Sequence, residues 1–111
     1  MGDRINISSG APWEPIAGYS RAVRVGQFIE VAGTTAVDAQ GNFFGEGDVG
    51  AQAKYVLEKI QHAIEQAGGS MSDVVRTRIF VTDRDYMMEV AKVHGEFFGE
   101  IMPVSTGVEV G

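Results

Sequence analysis

The stretch DVGAQAKYVLEKIQHAIEQA, residues 48–67, decides the fold that we predict for this chain. Asp48 can accept hydrogen bonds from the free N–H groups of a first helical turn, and Gly68 and Gly69 supply the left-handed residue that ends a helix. Apolar residues recur at three- and four-residue steps, as on one face of an α-helix: Ala53, Val56, Leu57, Ile60, Ala63, Ile64 and Ala67. This apolar face needs a partner, and the β-rich segments on both sides predict a sheet.

On the N-terminal side, residues 3–10 predict a short strand, and residues 19–25 and 28–34 predict two more. The link between the last two, Gly26 and Gln27, fits a type II′ hairpin turn. Residues 11–15 hold two prolines, so we expect them to be extended or turning and not helical. Trp13 in this segment could cover a cleft, contact a neighbouring subunit or pack in the core. Gly33 lacks a side chain at a point where a ligand or the helix would approach closely.

On the C-terminal side, residues 74–81 (VVRTRIFV) predict the clearest strand. One face carries Val75, Thr77, Ile79 and Val81, and the other carries Arg76, Arg78 and Phe80. A second helix should run from residue 83 or 85 to Phe98, and residues 103–110 should be extended. His94 lies on the apolar stripe of that helix. We interpret it as a partly buried, hydrogen-bonded histidine, with a catalytic role as the less favoured alternative.

The order strand, hairpin, helix, strand, helix, strand predicts one α+β domain over residues 1–111. Its two helices would cover one face of a mixed sheet of four or five strands. The opposite face, with Phe28, Ala32 and Phe80 among charged residues, would stay open. An open face of this kind on a small domain predicts a homo-oligomer.

Composition excludes several classes of function. The chain has 111 residues, a formal charge of −6, two histidines and no cysteine. We therefore expect no disulfide, no metal site and no cysteine nucleophile. The acidic balance opposes nucleic-acid binding, which depends on clustered Lys and Arg. Without a leader or a membrane-length apolar run, we expect a cytoplasmic protein that does not interact with membranes.

Six segments, in this order, resemble the RidA family, also called the YjgF/YER057c/UK114 family. They are IAGYSRAV, VGQFIEVAGTT, AQAKYVLEKIQHAIEQAG, VVRTRIFVTD, EVAKVHGEFFGE and PVSTGVEV, and together they span nearly the whole chain. The resemblance implies a chorismate-mutase-like fold, of the bacillus type, and a homotrimer with a small-molecule cleft at each subunit interface. It also implies hydrolysis of reactive imines and enamines to 2-keto acids and ammonia, without a metal or an organic cofactor.

The resemblance assigns cleft positions to Tyr19 and Gly33, and to the segment that follows Pro103. Deaminating relatives carry there an arginine that binds the substrate carboxylate, where this chain has Ser105. Gly107 replaces a cysteine that is frequent in the family, and Thr106 would line the same cleft. Arg78 could supply the missing cation, although an interface salt bridge, such as one to Glu30, is the favoured interpretation.

Relatives also continue into a final strand with a water-orienting glutamate, whereas this chain ends at Gly111. We therefore carry three hypotheses. The first is an imine or enamine deaminase whose specificity is altered because the arginine is absent. The second is a non-catalytic ligand-binding or chaperone-like trimer. The third, less favoured, is an endoribonuclease.

Overall fold

The computed structural model describes residues 3–111, in which five strands combine with three α-helices. Short 3-10 turns at Met71–Asp73 and Arg84–Tyr86 precede β4 and α3, respectively. The elements, in chain order, are β1 Arg4–Ile7, α1 Trp13–Ala17, β2 Ala22–Val25, β3 Phe28–Val31, α2 Val49–Gln66, β4 Arg76–Val81, α3 Met87–Phe98 and β5 Val104–Glu109.

Helix α2 has the ends that the sequence predicts. The Asp48 carboxylate accepts a hydrogen bond from the Ala51 N–H at 3.0 Å. At the other end, Gly68 takes a φ of +91°. Its N–H donates to the Glu65 carbonyl at 3.0 Å, and the Gly69 N–H donates to the Ile64 carbonyl at 2.9 Å. This pair of bonds is a Schellman motif, which satisfies carbonyls left free at a helix end.

The core lies where α2 contacts the strands and α3. One cluster of buried side chains joins α2 to β1 and β2: Ile7, Ala22, Ala63 and Ala67. A second cluster joins α2 to α3 through Ile64, Met71 and Phe98. The predicted packing of the two long helices and the strands is therefore confirmed.

The strands form two hydrogen-bonded ladders within residues 3–111. Strands β1, β2 and β3 are antiparallel, and the register that opposes Val25 to Phe28 closes the predicted two-residue hairpin with Gly26 at a φ of +59°. Strands β4 and β5 are parallel and are connected by α3. The mixed α+β architecture is as predicted, but among residues 3–111 the two ladders are not hydrogen-bonded to each other as they would be in the single mixed sheet that was predicted.

One sheet face is open, as predicted. Phe28 is 78% exposed and Phe80 is 60% exposed. In β4, Arg76, Arg78 and Phe80 are exposed, while Thr77 and Ile79 are half-buried and Val81 is buried. The prediction for Val75 is wrong: this residue precedes the strand and is exposed, so it does not share the covered face.

Residues 11–15 correct a second expectation, because α1 begins at Trp13 inside this proline-containing segment. Pro12 is the N-cap and Pro15 lies in the first turn, where the backbone N–H groups have no helical acceptor. Proline, which has no backbone N–H, therefore forfeits no helical hydrogen bond at such positions. Trp13 is 54% exposed, which excludes core packing and leaves the cleft and the subunit contact open.

Within residues 3–111, no helix is both long enough and apolar enough to cross a bilayer.

Candidate functional site

A concavity of about 700 Å³ lies beside the C-terminal end of α1, over strands β1 to β3. Its lining combines hydroxyl groups, both signs of charge and one aromatic ring. Its lining includes Arg4, Ser8, Glu14, Tyr19 and Glu30. A pocket of this size with a mixed polar and apolar lining suits a small ligand that can form hydrogen bonds.

Tyr19 is held at this concavity by the end of α1. The N–H groups of Gly18 and Tyr19 both donate to the Glu14 carbonyl, at 2.8 and 3.0 Å. Gly18 has a φ of +80°, a conformation that glycine adopts without strain. The turn therefore leaves Tyr19 39% exposed, before the start of β2, although the sequence placed it inside a strand.

Glu14 anchors this turn with a buried carboxylate. Ser8 Oγ donates to Oε1 at 2.7 Å, while Ser9 donates to Oε2 through its hydroxyl and, at 3.1 Å, its backbone N–H. Burial alone would raise the pKa of Glu14, but the hydrogen bonds from Ser9 and Ser8 and the charge of Arg21 outweigh it and lower the pKa. Glu14 is therefore ionised at neutral pH and acts as a structural acceptor, not as a general acid.

Arg21 is the cation beside Tyr19, and sequence reasoning did not single it out. Its guanidinium carbon lies 5.9 Å from the centroid of the Tyr19 ring, and Nη2 donates to the Gly33 carbonyl at 2.6 Å. Arg21 thus contacts both Tyr19 and Gly33, the two residues that the resemblance places in a cleft. The sequence offered a weak signal at most, since Arg21 stands in the same segment as Tyr19 but 12 residues from its backbone partner.

Gly33 lies just beyond β3 and is exposed. A Cβ built there would meet no described atom within 4 Å, so the helix does not approach this point. Of the two explanations for the missing side chain, close packing against α2 is wrong. The approach of a ligand remains a prediction.

The other predicted site residues lie on the β4–β5 ladder, on two different faces. Ser105 is paired with Thr77, and Thr106 is paired with Arg78. Ser105 and Gly107 face α3, because Thr77 Oγ1 donates to Ser105 Oγ at 2.8 Å and a Cβ on Gly107 would lie 2.9 Å from Met87 Sδ. Thr106 and Arg78 point the other way, since side chains alternate along a strand.

The fold of the chain therefore separates the six predicted residues into three groups. Tyr19 and Gly33 stand with Arg21, Ser105 and Gly107 face α3, and Arg78 and Thr106 share the opposite face of β4–β5. The lining of the concavity at Tyr19 includes no residue of β4 or β5. Among the described residues, the salt bridge foreseen between Arg78 and Glu30 does not form within one chain.

His94 is hydrogen-bonded and partly buried, as predicted. Its Nε2 lies 2.9 Å from Thr77 Oγ1, and its ring stands 4.6 Å from that of Phe98 between centroids. Burial lowers the pKa of His94, so the neutral imidazole predominates at neutral pH. Through Thr77 the imidazole is connected to the Ser105 hydroxyl. Within residues 3–111, no three His, Asp or Glu side chains cluster as metal ligands would.

Comparison with known proteins identifies the relatives of this chain. The family model described as endoribonuclease L-PSP matches residues 9–111. A RutC family protein of Pyrococcus abyssi is 36% identical over 110 residues, which cover 99% of this chain and 86% of the relative. The 3-aminoacrylate deaminase RutC of Acinetobacter baylyi is 33% identical over 111 residues, covering 100% of this chain and 87% of that protein.

Solved structures agree with these matches. The crystal structure of a Mycobacterium tuberculosis member of the YjgF/YER057c/UK114 family superposes with a TM-score of 0.86 and is 46% identical. The alignment covers 97% of this chain and 85% of the mycobacterial one. The Escherichia coli YjgF structure superposes with a TM-score of 0.81 at 31% identity, covering 96% of this chain and 85% of that one.

Proposed function

This chain belongs to the endoribonuclease L-PSP family, also known as the RidA or YjgF/YER057c/UK114 family, and from this premise we propose that it hydrolyses small reactive imines or enamines. The observation that carries the proposal is the similarity, over the full chain, to a protein named as a 3-aminoacrylate deaminase. In the proposed reaction an enamine tautomerises to an imine, water adds to the imine carbon, and ammonia leaves as the carbonyl forms.

The concavity at Tyr19 supports this chemistry. Because imines already hydrolyse in water, a catalytic site only needs to hold the substrate in one orientation and to assist one proton transfer. The Tyr19 hydroxyl can donate to or accept from the substrate nitrogen. Arg21 acts as a positioning residue, because its hydrogen bond fixes the Gly33 backbone beside Tyr19.

The absent family arginine argues for altered substrate specificity. Ser105 carries a hydroxyl that already accepts a hydrogen bond from Thr77, and it offers no charge to compensate a desolvated carboxylate. We therefore propose that preferred substrates lack an α-carboxylate or hold it elsewhere in the site. Arg4, at the edge of the concavity, is the cation available to such a group.

We also propose that the site is completed in a homotrimer. The open sheet face, with Phe28 and Phe80 exposed, supports self-association. A trimer would bring the β4–β5 residues of one subunit towards Tyr19 of another, which one subunit by itself does not do. A native mass of three chains is the expected result, and a monomer at micromolar concentration would contradict this part of the proposal.

The test of activity uses an amino-acid oxidase that generates 2-iminopropanoate, or a source of 3-aminoacrylate, with semicarbazide to trap the remaining imine. We expect the purified protein to accelerate loss of the trappable species, and to do so more for 3-aminoacrylate than for 2-iminopropanoate, because only the latter carries its carboxylate on the imine carbon. Tyr19→Phe removes one hydroxyl and should slow the reaction by about fivefold to tenfold, the effect of one hydrogen bond. Tyr86→Phe is the matched control, since Tyr86 is similarly exposed at 43% but lies outside the concavity.

Two outcomes would overturn the proposal. A rate equal to buffer for both substrates would favour the non-catalytic trimer, and equal rates for the two phenylalanine variants would remove Tyr19 from the site. For the endoribonuclease hypothesis, the charge of −6 opposes RNA binding. We expect negligible RNA binding in a salt titration at physiological ionic strength.

A further inference from the structure

A second concavity, of about 380 Å³, lies between α1, the segment of residues 35–39 and α2. We infer that it binds a small organic carboxylate with a flat apolar body, at a site distinct from the concavity around Tyr19. Its walls supply two cations and two aromatic rings: Arg21, Lys59, Trp13 and Tyr55. This inference goes beyond the proposed deamination and does not depend on it.

Lys59 is fixed in this concavity with donor capacity to spare. Its Nζ donates to the carbonyls of Thr35 at 2.9 Å and Val37 at 2.6 Å, and lies 5.7 Å from the centroid of the Tyr55 ring. An ammonium group has three N–H donors, so one remains for a ligand. The two carbonyl contacts hold the charge in place, which lowers the entropic cost of binding an anion.

Arg21 adds a buried guanidinium with an unsatisfied donor. The residue is only 9% exposed, and its Nη2 is occupied by the Gly33 carbonyl. Its Nε is buried and has no hydrogen-bond acceptor among residues 3–111. A buried donor without an acceptor costs about 1–3 kcal/mol, so an acceptor oxygen of a ligand or an ordered water would relieve this penalty where it reaches Nε itself.

The two cations are not neutralised by a direct ion pair within the described part of the chain. No carboxylate lies within 4.0 Å of either one, and the salt bridge that does form, between Arg84 and Glu109, is elsewhere. Burial and, next in size, the charge of Arg21 lower the pKa of Lys59, while Asp38 opposes them. Asp38 lines the same concavity and Glu14 interacts with the charge of Arg21, but neither forms a direct ion pair with the two cations, so an anionic ligand that contacts both would be stabilised.

The aromatic walls decide the kind of anion. Trp13 is 54% exposed, and Tyr55 is backed by Phe44, with ring centroids 4.6 Å apart. A phosphate or sulfate would leave this apolar surface in water, whereas the flat body of an aromatic or unsaturated carboxylate would cover it. The cavity volume is also near the lower end of the roughly 300–1,000 Å³ typical of small-molecule sites.

Trp13 gives a direct readout, because it is the one tryptophan in the chain. In the test, benzoate is titrated against the full chain at constant ionic strength while tryptophan fluorescence is followed. We expect a saturable change, a response to the neutral isostere benzamide at least about tenfold weaker, and little displacement of benzoate by phosphate. Failure of benzoate to saturate, equal binding of benzamide, or displacement by phosphate at an equal concentration would each overturn the inference.

Two variants on α2 distinguish a specific contact with benzoate from a non-specific effect of the net charge of the protein. Lys59→Gln should weaken benzoate binding by about tenfold or more, the effect of losing a charged hydrogen bond of about 1.4 kcal/mol or more. Lys54→Gln makes the same charge change at an exposed position of α2 and should alter binding by less than about twofold. Equal weakening by both variants would mean general electrostatics and would overturn the inference.

Should Lys59→Gln disturb the fold, amide and indole NMR shifts of the unmodified protein provide the second measurement. Benzoate should shift the Trp13 indole and the amides of Thr35, Val37 and Lys59. Shifts centred on Tyr19 and Glu30 instead would place the ligand in the other concavity and would overturn the inference. Neither the fluorescence titration nor the NMR titration uses an imine, so their outcome is independent of the proposed deamination.

Discussion

Replacement of the buried Glu14 carboxylate by an amide tests how the turn before Tyr19 is held. Glu14→Gln preserves the shape of the side chain but removes its charge and one acceptor oxygen. In the native protein this carboxylate takes three hydrogen bonds, two from hydroxyls and one from the Ser9 N–H. A serine hydroxyl can reorient towards an amide, but a backbone N–H cannot, so one orientation of the glutamine leaves the Ser9 N–H unpaired.

The expected loss follows from these bonds. Hydrogen bonds to charged groups contribute about 1.5–3 kcal/mol each and neutral ones about 0.5–1.5 kcal/mol. In the orientation that keeps the Ser9 N–H paired, all three bonds become neutral and each weakens by about 1 kcal/mol, which, against the relief of burying a charge, gives a destabilisation of about 2 kcal/mol. For a chain of this length that corresponds to a fall in Tm of about 10 °C. Glu58→Gln, at an exposed position of α2, should change the stability by less than about 0.5 kcal/mol.

The measurement is urea unfolding of both variants and the unmodified protein at one fixed protein concentration, since self-association also changes the apparent stability. Because the folded-state pKa of Glu14 is lowered, the stabilisation by its charge is present above the ordinary value of 4.5 and is lost as the pH falls through the folded-state pKa. The gap between Glu14→Gln and the unmodified protein should therefore shrink in acid. A loss below about 0.5 kcal/mol at pH 7, or a gap unchanged by acid, would refute the reasoning.

Three further changes test other parts of the molecule. Burial lowers the pKa of His94, so the unfolded chain binds a proton more readily than the folded chain does. The free energy of unfolding should therefore fall as the pH drops below 6.5, the ordinary pKa of histidine. His94→Gln should reduce this pH dependence in urea unfolding. Gly68→Ala should cost about 2 kcal/mol in the same assay, because φ is +91° and the new Cβ would lie 2.6 Å from Arg24 Nη1. An equal stability would contradict the assigned helix end. Phe80→Glu should leave the far-UV circular dichroism spectrum unchanged but reduce the native mass, and an unchanged mass would exclude this face from the interface.

The sequence predicted the main elements because their signals are local. The apolar period of α2, its Asp48 cap and the glycines after Ala67 act within a few residues of one another, and the structure reproduces them. The hairpin at Gly26 and the alternation in β4 are equally local. The exception was α1, where two prolines suggested a non-helical segment; their positions in the first turn remove the penalty.

The candidate site was less predictable because its contacts join distant segments. Tyr19 and Gly33 followed from the resemblance, but the buried Glu14 carboxylate and its serine donors did not, since a glutamate in a sequence looks like a surface residue. The resemblance also pointed to Ser105, Thr106 and Gly107 as one set, and the register of β5 with β4 divides them between two faces.

By itself, the sequence determined the family, the extent of α2 and the existence of an open sheet face, because periodicity and capping act between near neighbours. Tertiary structure decided which cation accompanies Tyr19. Arg21 bonds to Gly33 across 12 residues and Thr77 bonds to Ser105 across 28, whereas Arg78 lies on the face of β4–β5 opposite Ser105. Contacts over such separations depend on how the strands and helices pack, which no local pattern of residues specifies.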